Sequence, residues 1–88
     1  MLKKKKRLIG YASLKDACMD ARNEAIRKNC SHWNPVNIFV EPDGSFSVGT
    51  SPTNKGKFYV AVDKSGARYR KKRIKDLGMC REVFVPVQ

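Results

Sequence analysis

Apolar positions along the chain follow two different periods. Leu14, Ala17, Cys18, Ala21, Ala25 and Ile26 recur at three- and four-residue spacing, which is the buried stripe of an amphipathic helix. Ser13 is placed to cap that helix, and Asp16, three residues on, is placed to return the contact as in a capping box. Asp16 and Asp20 sit near the positive end of the helix dipole, Arg27 and Lys28 near its negative end. Glu24 and Lys28 are spaced as an i,i+4 ion pair, and Asn29 is a helix terminator. The pattern predicts a helix over residues 14–28.

From residue 36 the period changes to two. Residues 36–40 and 45–49 read as strands joined by Glu41-Pro42-Asp43-Gly44, where Pro presets its own dihedral and Asp-Gly tolerates positive φ. Residues 57–62 and 67–71 read as a second pair joined by Asp63-Lys64-Ser65-Gly66. Residues 7–12 suggest a short leading strand, 73–79 one helical turn ending at Gly78, and 82–87 a last strand. Pro86 assigns that last strand to a sheet edge or end. The fold class expected is α+β: one amphipathic helix on a mainly antiparallel sheet of four to five strands.

Ile38, Val40, Phe46, Val48, Phe58, Val60 and Val62 are then expected to face the helix. The opposite face takes Phe39, Ser45, Ser47, Tyr59 and Ala61, joined by either Tyr69 or the Arg68/Arg70 pair. Trp33, before Asn34-Pro35, reads as a packing anchor between helix and first strand.

A chain of 88 residues is a single domain, here residues 8–88 preceded by a basic arm at 1–7. So short a chain buries a small core, which excludes a large enclosed cleft with several subsites. Its apolar fraction of 41% is too high for a disordered chain. The stretch after the basic start is too short for an export signal, and no apolar run is long enough to span a bilayer. Three cysteines, an odd number, do not form a secreted disulfide framework. A cytoplasmic location is expected.

Charge changes the picture most. The formal net charge is +11, and the excess is not spread along the chain. Lys3, Lys4, Lys5, Lys6 and Arg7 form one acid-free run. Arg68, Arg70, Lys71, Lys72, Arg73 and Lys75 form another, while the rest of the chain is nearly neutral. Such clusters repel themselves, so a polyanionic partner is the economical reading. Nucleic acid, DNA or RNA, fits best, because each Lys or Arg meeting a phosphate releases condensed counterions. Arg also grips phosphate bidentately and stacks on bases. Tyr69, Tyr59 and Phe39 are candidate stacking rings beside the basic strand. The plainer reading of residues 68–75 is a solvated edge strand, since Lys-rich edges guard against sheet aggregation.

Other chemistry is weakly signalled. Cys30 and His32 are close in sequence, with Cys18 and Cys80 distant, and this spacing matches no zinc finger, ribbon or knuckle. No metal and no cofactor is expected. Nothing resembles a nucleophile elbow, a phosphate loop or paired catalytic carboxylates, so an enzyme is not expected. No small-molecule substrate and no membrane partner are expected either.

The leading expectation is a basic domain that binds nucleic acid through phosphates with little sequence preference. The alternative is a protein-binding inhibitor or adaptor that sets its basic clusters on an acidic or nucleic-acid-binding surface. In size and architecture alone, the chain is similar to small phage-encoded accessory proteins that act on host nucleic-acid-targeting complexes.

Overall fold

In the computed structural model, which describes residues 7–50 and 52–87, helix α1 (Leu14–Arg27) precedes five strands. These are β1 (Val36–Val40), β2 (Phe46–Gly49), β3 (Lys57–Val62), β4 (Arg68–Asp76) and β5 (Met79–Pro86). They form one antiparallel open sheet in the order β2-β1-β3-β4-β5, with α1 on β1, β2 and β3. The fold is α+β, as the two periodicities predict.

Local chemistry sets the ends of α1. The Ser13 Oγ accepts a hydrogen bond from the Asp16 N–H at 3.2 Å, leaving one fewer orphan donor in the first turn. At the other end Asn29 adopts a left-handed φ of 51°. Its N–H donates to the Ile26 carbonyl, and the Cys30 N–H donates to the Ala25 carbonyl at 2.9 Å. That pairing is a Schellman motif with Asn in the glycine position, and the buried Cys30 is its apolar seal. Between the caps, Ala17, Ala21 and Ala25 are fully buried and let the helix lie close on Val36, Ile38, Val60 and Val62. Ile26, expected on the same stripe, is exposed: it lies about 100° round the helix from Ala25, which takes the buried place in the last turn.

Two reverse turns are built alike. In each, a carbonyl accepts from a glycine N–H three residues on: Glu41 from Gly44 at 2.9 Å, and Asp63 from Gly66 at 3.0 Å. Both glycines have positive φ, 86° and 88°. The first turn also anchors the chain before α1. The Ile9 N–H donates to Asp43 Oδ2, the Gly10 N–H to Ser45 Oγ, and Tyr11 exchanges backbone bonds with Phe46. Residues 7–12 thus make a single β-bridge at the sheet edge where a short strand was expected.

A bulge in β3 rearranges the two faces. Ile38 pairs with Val60 and the next residue, Phe39, pairs with Phe58, so Tyr59 is the extra residue. Phe58 therefore turns to the face away from α1, where its ring meets Phe39 edge-on at 5.8 Å. Tyr59 turns the other way and meets Phe46, which packs on the helix-side core. This reverses the faces expected for Phe58 and Tyr59, because simple alternation does not survive an inserted residue.

The largest departure lies after residue 72. Residues 73–76, expected as part of a helical turn, continue β4 to Asp76, and β5 starts at Met79. Leu77 and Gly78 have φ of 51° and 77° and close a two-residue hairpin of the type I′ kind. β4 pairs with β3 at Tyr69 and Arg68, then leaves the sheet still paired with β5. From Arg70 to the tip this ribbon runs about 20 Å. It accounts for much of an elongated shape, 62 Å in the longest dimension against 26 and 23 Å.

Candidate nucleic-acid interface

The ribbon divides the basic cluster. Arg68 pairs with Val62, on the side that packs on α1, and Tyr69 pairs with Ala61, on the side that does not. Alternation then places Arg70 and Lys72 with Arg68, and Lys71, Arg73 and Lys75 with Tyr69. Six cations that are consecutive or nearly so in sequence thus become two rows, one on each face of β4, and all but Arg68 lie on the thin projecting arm.

The helix-side row is extended by α1. Lys15, Arg22 and Arg68 line an open groove of about 380 Å³ with Leu14, Cys18, Met19 and Gly66. Burial pushes the Cys18 thiol up from its ordinary value, and the nearby charge of Arg68 opposes the shift. Lys15 and Arg22 carry no special sequence signal; only the packing of α1 on β3, the neighbour of β4, adds them to the row.

On the far face, Lys71 is already engaged. Its Nζ lies 5.0 Å from the Phe58 ring centroid, 6.0 Å from that of Phe84 and 3.8 Å from Glu82 Oε2. Arg81 on β5 is paired with Asp76 at 3.2 Å. Among the described residues, no carboxylate lies within 4 Å of Arg68, Arg70, Lys72, Arg73 or Lys75. Five cations of β4 are therefore free, four of them on the arm, at about 6.7 Å intervals along each face.

Arg7 is exposed at the opposite side of the sheet, beside the β1–β2 turn. Three strand spacings, about 14 Å, separate β2 from β4. Lys3, Lys4, Lys5 and Lys6 lie outside the described residues.

The candidate stacking rings fare differently from one another. Tyr69 is only 6% exposed and donates its hydroxyl to Asp63 Oδ2 at 3.0 Å, so the core takes its ring. Phe39 is likewise buried, against Phe58. Both depart from the expectation of an open ring. In a domain this small, the face away from α1 needs its own apolar filling. Tyr59 remains 44% exposed, on the helix side of the sheet.

A second polar centre joins residues far apart in sequence. Asp63 is buried, and its Oδ1 accepts from the Ser65 N–H and hydroxyl and from the Ala67 N–H. Its Oδ2 accepts from Tyr69 and lies 2.9 Å from His32 Nδ1. Desolvation works to raise this carboxyl, but those hydrogen bonds and the imidazole outweigh it and hold it below its ordinary range. His32 also meets Tyr69 edge-on at 5.4 Å. The partner of His32 thus comes from the β3–β4 turn, which no local motif around the histidine announces. Beside it, Trp33 is 90% exposed, which overturns the packing-anchor reading: Cys30, Pro35 and Val36 are the buried residues there.

Cys18 is half-buried, Cys30 buried and Cys80 exposed, all three as free thiols. Among the described residues, no three His, Cys, Asp or Glu side chains are grouped to hold a metal ion. No helix among them is long and apolar enough to cross a membrane. Comparison with protein-family models, curated proteins and solved structures finds no match to this chain.

Proposed function

We propose that the protein binds nucleic acid, with the β4–β5 ribbon as its principal contact and the phosphate backbone as its principal target. The observation that carries this reading is the division of the cluster into two free rows on a narrow arm. A strand whose charges only guard an edge needs cations pointing into solvent anywhere along it. An arm lying in a groove meets a backbone on each side, and cations on both faces suit that geometry. Lys15 and Arg22 prolong the helix-side row, and the basic run of residues 3–7 serves as an auxiliary arm. Base contacts are few in this reading, so sequence preference is weak and no cofactor or catalysis is involved. The three free thiols suit the reducing cytoplasm in which we place the protein.

The test is anisotropy of labelled duplex and single strands across a salt series. The reading expects a log–log salt slope equivalent to roughly five phosphates for duplex DNA. Substituting Gln at Arg68, Arg70, Lys72, Arg73 and Lys75 in turn should lower both affinity and slope in nearly additive steps. Absence of salt-dependent binding with all five cations present would refute it.

One observation favours the alternative of a protein-binding inhibitor or adaptor. An almost fully exposed Trp33 beside His32 is the kind of residue that dominates a protein interface. Under that reading Trp33→Ala abolishes binding to the partner, while neutralising single ribbon cations costs little.

A further inference from the structure

The ribbon ends in apolar side chains. Leu77, at its tip, is 97% exposed, and Met79 next to it is also largely exposed. Leu77 is held in the left-handed region, φ 51°, as the first central residue of the type I′ turn. This is a position where a β-hairpin favours Asn or Asp ahead of Gly, because a leucine there is strained and gains nothing from burial. Folding therefore gives no reason for Leu77. It stands at the end of an arm whose two faces carry four free cations, with Asp76 neutralised by Arg81 just behind it.

From this juxtaposition we propose that Leu77 is a wedge that enters between two base pairs of duplex DNA and kinks it. The proposal rests on nucleic-acid binding by the ribbon and adds to it a named residue and a preferred substrate, deformable duplex DNA. The cations bring the arm along the backbones, and the tip then meets the stacked bases with an apolar side chain that prefers their faces to water. Insertion of such a side chain partly unstacks a step and bends the duplex, at a cost of unstacking offset by the protein surface the bend brings into contact. Pyrimidine–purine steps and mismatches yield most easily, so the ribbon discriminates by deformability at positions where it reads no base edge. Met79, on the same tip, widens the apolar surface.

The test compares the native chain with Leu77→Asn, which installs the turn's preferred Asn-Gly pair and so keeps the hairpin. Two readouts are taken on the same short duplexes: anisotropy for affinity, and energy transfer between end labels for bending. The native protein should bring the ends closer and bind a duplex with one central mismatch roughly tenfold more tightly than a fully paired one. L77N should bind the paired duplex with unchanged salt dependence, leave its ends apart, and lose the preference for the mismatch. If the native protein binds but does not bend the duplex, or if L77N bends it equally, the wedge is refuted while phosphate binding by the ribbon survives. If neither protein binds any duplex, both readings fall, and the exposed tip belongs to a protein contact.

Discussion

The Nζ of Lys71 sits 5.0 Å above the ring of Phe58, and its sequence neighbour Lys72 projects from the opposite face of the ribbon with no acidic partner. Two adjacent lysines thus have different duties. Lys71→Met removes a cation–π contact and a long ion pair that are partly open to solvent, so it costs stability of about 0.5–1 kcal/mol with little loss of nucleic-acid affinity. Lys72→Met should do the reverse, weakening binding and reducing the salt slope by about one phosphate. Urea unfolding and a salt-dependent binding titration on the two variants check this directly.

Tyr69 offers a second contrast. Its hydroxyl is bound to a buried carboxylate, so Tyr69→Phe should destabilise the fold by about 1.5–3 kcal/mol. Because the ring is buried, affinity for single strands should be unchanged once the variant is measured below its unfolding transition. A base-stacking role would show the opposite: a stable variant that binds poorly.

The Asp63 carboxyl is held below its ordinary range in the folded state. A depressed carboxyl contributes stability above its unfolded value, about 3.9, and that contribution is lost as pH falls through the folded value. Asp63→Asn should therefore be less stable than the native chain at pH 7. The gap should narrow as pH falls below about 4, where the unfolded carboxyl takes up its proton, and close only at lower pH, where the folded one does. Denaturant midpoints at the two pH values measure it. Asp43, lowered by the Ser45 hydroxyl and the Ile9 N–H, titrates in the same sense and remains in both proteins.

Gly10 passes so close to β2 that a Cβ there would lie 2.3 Å from the Phe46 carbonyl oxygen. Gly10→Ala should release residues 9–11 from the Asp43–Ser45 turn and cost about 1–3 kcal/mol. Hydrogen exchange should show lost protection at the Tyr11 and Phe46 amides, with the β4–β5 ladder unaffected.

The helix, both glycine turns and the α+β class were legible because each follows from neighbours in sequence: Ser13 and Asn29 at the helix ends, Gly44 and Gly66 in the turns. What escaped depends on distance or on one inserted residue. A nine-residue strand rich in Arg and Lys hides its length, since those residues have weak strand preference. Leu77 disguised the I′ turn that Asn would have announced. The Tyr59 bulge moved Phe58 across the sheet without altering the alternation visible in KFYVAV. The Asp63–His32–Tyr69 centre joins the helix–β1 connection to the β3–β4 turn, while Trp33 stays exposed and Cys30, Pro35 and Val36 are the buried residues of that stretch. The basic cluster itself was plain in the sequence, but its partition between two faces required the register of β4 on β3.

The most direct test of the ribbon as the nucleic-acid contact is a titration of the isotopically labelled protein with a short DNA duplex, followed by amide chemical shifts. The largest changes should fall on residues 68–76 and on the facing residues of β5, with smaller ones at Lys15 and Arg22. Changes concentrated around Trp33 and His32, with the ribbon amides undisturbed, would contradict the account.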